Sequence, residues 1–136
     1  MKASLLCGLA AVLGLAAVPA LAHHSFAAEY DAAKPVTLTG TVTKVEWMNP
    51  HARFYIDVKD DAGKVTNWEF ELGSPNGLMR RGWTRNSLKP GDTVTVNGSL
   101  AKDGSSLANA RTIKLADGRQ VFAGSATETG DPKAGQ

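Results

Sequence analysis

Residues 45–59 read V-E-W-M-N-P-H-A-R-F-Y-I-D-V-K, and their pattern decides the fold. Ala52, Phe54, Ile56 and Val58 alternate with Arg53, Tyr55, Asp57 and Lys59, the period of two that marks a strand with one buried face. Asn49-Pro50 sets a turn ahead of it, because proline fixes its own φ and drives the preceding residue out of the helical region. The stretch therefore predicts the end of one strand, a sharp corner, and a second strand running back. Trp47, Asn49 and His51 stand at the corner, which makes it the place to look for chemistry.

Working outward, residues 36–48 form the first long strand. Val36, Leu38 and Val42 alternate, but the apolar phase slips by one across Val42-Thr43-Lys44-Val45, which predicts a β-bulge or strong coiling, and Gly40 eases the bend. Beyond the second strand, residues 52–59, Asp60-Asp61-Ala62-Gly63 supplies a hairpin turn. Residues 64–72 make the third strand, with Val65, Trp68 and Phe70 as its main apolar residues. Ser74-Pro75 then opens a short helix, serine as the N-cap and proline in the first turn. That helix runs over residues 75–81 with Leu78 and Met79 facing inward, and Gly82 lies just past its end. The fourth and fifth strands are residues 93–100 and 107–115, with a short end strand in 119–123. Five strands with a short helix between the third and fourth is the order of an OB-fold, so the expected class is all-β, a small five-stranded OB-fold-like barrel over residues 36–123.

The flanks are of another kind. Lys2, the apolar run from Leu5 to Val18 and Ala20-Leu21-Ala22 have the order of a secretory signal peptide cleaved after Ala22, which places the protein in the periplasm or outside the cell. The apolar run is too short for a transmembrane anchor. Removing 22 of the 136 residues leaves 114, enough for one core. The one cysteine, Cys7, goes with the signal, so the mature chain has neither disulfide nor thiolate metal site. Its charge is close to balanced and no basic run is present, which argues against a nucleic-acid partner. Residues 23–35 form an N-terminal arm, either a short helical turn pairing Phe26 with Tyr30 or an extended segment packed on the barrel. Residues 124–136 lack apolar content and are expected to be a disordered tail.

Several of these motifs occur together in one family. H-H-S-F-A-A-E-Y-D at residues 23–31, W-M-N-P-H at 47–51, W-E-F-E at 68–71, S-P-N-G-L-M-R-R-G-W at 74–83 and L-K-P-G-D-T-V-T-V at 88–96 resemble a family of small secreted bacterial proteins catalogued only as a domain of unknown function. The resemblance covers roughly residues 23–118. It implies an exported barrel-like domain and no established activity.

The candidate site rests on histidine. Cleavage after Ala22 makes His23 the mature N-terminus, where a free α-amine and an imidazole offer copper two nitrogens at once. His51 or His24 would supply a third, the nitrogen set and geometry that suit copper(II). Asn49 or Glu46 is the expected hydrogen-bond partner orienting His51. Against this stands a plain reading in which the histidines are a polar start and a turn cap. Trp47, Asn49, Tyr55, Trp68 and Arg81 make up a second candidate surface, for an oligosaccharide or protein, since the second and third strands of an OB-fold commonly carry its ligand. Semi-buried anchoring of the tryptophans is the competing reading. Glu69 and Glu71 share a strand face, but no nucleophile–base pair, phosphate loop or zinc motif accompanies them, so the chain reads as a binding protein and not an enzyme.

Overall fold

The computed structural model describes residues 26–124. Residues 1–25, which hold the expected signal peptide, His23 and His24, and residues 125–136 of the expected tail lie outside the described residues. The elements in chain order are α1 (Phe26–Glu29), β1 (Tyr30–Glu46), β2 (Arg53–Lys59), β3 (Val65–Glu71), α2 (Pro75–Arg80), β4 (Thr93–Ala101), β5 (Leu107–Leu115) and β6 (Gln120–Phe122).

Strand order is β3-β2-β1-β4-β5-β6, and a further β3–β5 pairing closes the first five into a ring. That closing pair is parallel, Glu69 to Glu71 against Leu107 to Asn109, and the others are antiparallel. This is the expected five-stranded OB-fold-like barrel. β6 adds to β5 outside the ring, along Thr112 to Lys114.

β1 holds the ring together, because its first half pairs with β4 and its second half with β2. The register slips between Val42 and Lys44, where the apolar phase breaks in the sequence. Gly40 is needed where β1 crosses β2: a Cβ there would stand 2.4 Å from the Asp57 carbonyl oxygen. β1 also begins earlier than expected, at Tyr30, so the last six residues of the arm belong to the sheet. Pro35 therefore lies within the strand, where proline is tolerated beside an irregularity, and the pairing is irregular between Tyr30 and Pro35. The arm combines both expected forms, a single helical turn in α1 followed by strand, with the Phe26 and Tyr30 rings 5.6 Å apart.

The core is built from alternate residues of every ring strand. Val42, Phe54, Ile56, Phe70, Val94, Val96 and Ile113 are buried, and Leu72, Leu78, Trp83 and Leu88 close one end. Phe54 and Phe70 stack with centroids 5.3 Å apart. One inward assignment, Met79, is corrected, and one apolar strand residue, Val65, faces out. Val65 is 54% exposed, because it alternates out of phase with Trp68 and Phe70. Met79 is 51% exposed, because a helix as short as α2 turns only one side to the barrel, and Leu78 takes it. The α2 signals read from the sequence hold. Ser74 Oγ accepts from the Gly77 amide at 3.1 Å, and Gly82 takes φ +89° just beyond the helix.

Candidate functional site

His51 stands between the cis Asn49–Pro50 peptide and the start of β2. The chain is pinned there by paired backbone bonds. Ala52 donates to the Gly73 carbonyl at 3.1 Å and Leu72 donates back to Ala52 at 2.9 Å. These bonds bring the end of β3 against the corner, and with it Glu71.

Glu71 is the centre of the site. It is 6% exposed, although it lies on the opposite strand face from core Phe70. Its Oε1 is 2.5 Å from His51 Nδ1, and its Oε2 accepts from the Tyr30 hydroxyl at 2.9 Å. Arg53, its partner across the β2–β3 ladder, lies 3.7 Å from Oε2 and donates to Glu69 at 2.8 Å. One buried carboxylate thus joins the arm, the corner and two strands. An ionised carboxylate can only accept, so in this bond His51 Nδ1 is the donor.

The charges follow from this packing. Burial, then the Glu71 charge and hydrogen bond, push the Tyr30 hydroxyl far above the ordinary tyrosine range. Burial also raises Tyr55, helped by its bond to Glu46. Burial works against the Arg53 charge, but Glu69 and Glu71 outweigh it and raise its pKa. A pH test follows. Tyr30 keeps its proton in the fold beyond the unfolded value of 10.0, so its contribution to stability is whole below pH 10 and is lost as pH climbs above that. In an ultraviolet titration, both tyrosines should ionise above pH 10, Tyr30 later than Tyr55. A Tyr55→Phe protein whose remaining tyrosine titrates at the ordinary value would show Tyr30 to be solvated.

The orienting partner of His51 is therefore Glu71, in place of the expected Asn49 or Glu46. Glu46 is engaged elsewhere, accepting from the Tyr55 hydroxyl at 3.1 Å and pairing with Lys44, whose ammonium lies over the Tyr55 ring. The five residues of the second candidate surface are not gathered into one face. Trp47 and Trp68 lean on the core, Trp68 tilted against Phe70. Tyr55 lies on the outer face of β2, Asn49 in the turn, and Arg81 over the Phe122 ring at 4.4 Å. Tyr30, Glu71 and Arg53 were missed as a unit. The legible part was that Glu69 and Glu71 share a strand face.

Among the described residues no group of three or more His, Cys, Asp or Glu side chains is placed to hold a metal ion. Further ligands of these types for a metal at His51 would have to come from residues 1–25 or 125–136. Among the same residues no helix is long and apolar enough to cross a membrane.

No curated protein matches the chain in sequence. Among solved structures, the mitochondrial single-stranded DNA binding protein Rim1 of S. cerevisiae is similar at 9% identity, over 61% of this chain and 93% of that one, with a TM-score of 0.47. Residues 11–110 match DUF6152, a family of unknown function, and the chain belongs to that family.

Proposed function

We propose that the protein is exported, is processed after Ala22, and serves as a non-catalytic binding protein for a copper-type metal ion held by His23 and His51. One observation carries the reading: the Glu71 carboxylate that bonds His51 Nδ1 also bonds the arm through Tyr30. Carboxylates behind metal-binding histidines fix the tautomer and raise the basicity of the ligating nitrogen. The same bond brings the arm to the corner. His23 precedes Tyr30 by seven residues, four of which form α1, so residues 23–25 could extend roughly 10 Å beyond the start of that helical turn. The α-amine and imidazole of His23 would join His51 Nε2 in a three-nitrogen set suited to copper(II), with His24 as the substitute imidazole.

The test uses two forms of the mature protein, one starting at His23 and one carrying an additional N-terminal Met. Calorimetric titration should show tight copper(II) binding by the first and its loss in the second, with the same melting curve for both in the absence of metal. His51→Ala should weaken binding in the authentic form, and His24→Ala should matter less. Equal affinities for the authentic and extended forms would end the reading.

A further inference from the structure

The arm is fastened at few points. Tyr30 pairs with Ala101 and the next pair along β1 is Pro35 with Ser99, so residues 31–34 bulge out opposite Leu100 alone. Ahead of the bulge, the Lys102 backbone amide donates to the Glu29 carbonyl at 2.9 Å and Lys102 Nζ donates to the Ala27 carbonyl at 2.5 Å. The deepest attachment is the Tyr30 side chain. Its backbone lies beside β4 while its hydroxyl reaches Glu71 on β3, so the ring passes over β5, which runs between them.

The seat beneath that ring is polar. Glu71 pairs with Asn109 and Asn109 with Ser99, a row across β3, β5 and β4 on the face opposite core Phe70 and Ala108. Ser99 and Asn109 are each only 3% exposed. Among the described residues, neither the Ser99 hydroxyl nor the Asn109 amide makes a side-chain hydrogen bond. A buried polar group without a partner gains by returning to water. Hydration of the seat therefore favours lifting the arm, and the charge-assisted bond from Tyr30 to Glu71 opposes it.

We infer that Tyr30 is a positioning residue that latches the arm onto Glu71. Resting on the reading that His51 binds metal together with His23, arm docking and metal binding at His51 are then coupled through this one carboxylate. Coupling of this kind is reciprocal: metal bound at His51 holds the arm down, and a docked arm raises metal affinity.

Tyr30→Phe keeps the ring and deletes the bond. Hydrogen exchange on the metal-free mature protein should show residues 26–35 opening roughly tenfold faster in the variant, with β2 and β3 unchanged. Copper(II) should slow arm exchange in the wild type, and the variant should bind copper(II) about tenfold more weakly. In the Met-extended background the substitution should leave residual copper affinity unmoved, which a merely structural role for Tyr30 would not predict. If Tyr30→Phe does not fold, Lys102→Ala loosens the same arm from the surface and should weaken copper binding likewise. Arm exchange unchanged by Tyr30→Phe overturns the latch. A looser arm with wild-type copper affinity overturns the coupling and leaves the metal reading standing. A looser arm with no copper binding by either protein removes the metal reading, and the coupling with it.

Discussion

Phe54→Ala is expected to lower stability by about 3–5 kcal/mol, the cost of emptying an aromatic site in a closed core. Phe54 is fully buried, stacks on Phe70, and pairs with Val45 on one side and Phe70 on the other. It thus links three consecutive strands of the ring at one level. Neighbours collapse poorly into such a space, because β1, β2 and β3 are tied by backbone ladders that fix their separation. At about 4–8 °C per kcal/mol for a domain of this size, the melting point should fall by roughly 12 °C or more. Calorimetry on residues 23–136 measures it, and a fall within error would mean that β2 turns its other face inward.

Glu71→Ala is the second large effect, expected to cost about 3 kcal/mol. The substitution leaves the Tyr30 hydroxyl buried without its acceptor, removes the hydrogen-bond partner of His51 Nδ1 and takes a counter-charge from Arg53. Glu71→Gln should cost distinctly less, since the amide keeps the shape and one acceptor. The ordering of the two by urea denaturation separates a network held by charge and hydrogen bonds from one held by packing alone. Near-equal losses would assign the residue to packing.

Much of this barrel was legible in the sequence, and the reasons are local. The alternation from Ala52 to Val58, the turn at Asn49-Pro50, the Ser74-Pro75 helix start and the slip at Val42 are all features of short windows, and each has its counterpart in the structure. Val65 faces out because apolar residues at 65, 68 and 70 cannot all share a face of period two. The site was less legible for a different reason. Glu71 alternates outward like any solvated strand residue, and its partner Tyr30 stands 41 positions earlier. No window joins the two. The corner and His51 could be marked from the sequence, but the carboxylate behind His51 required the backbone bonds between Ala52 and residues 72–73.

The long first strand has a consequence for the order in which the molecule can form. β1 meets β4 through contacts such as Thr37 to Asn97 and Thr39 to Thr95, pairs separated by 60 and 56 positions. A chain made from its N-terminus has β1 complete long before Thr93–Ala101 exists to pair with it. The β2 and β3 hairpin can assemble early on the second half of β1, while the first half waits with an unpaired edge. Loop closure over such distances is slow, and it precedes any reward from the contacts it makes. The ring can close only when nearly the whole barrel has been synthesised, so for most of its synthesis the core lacks the wall that β4 and β5 supply.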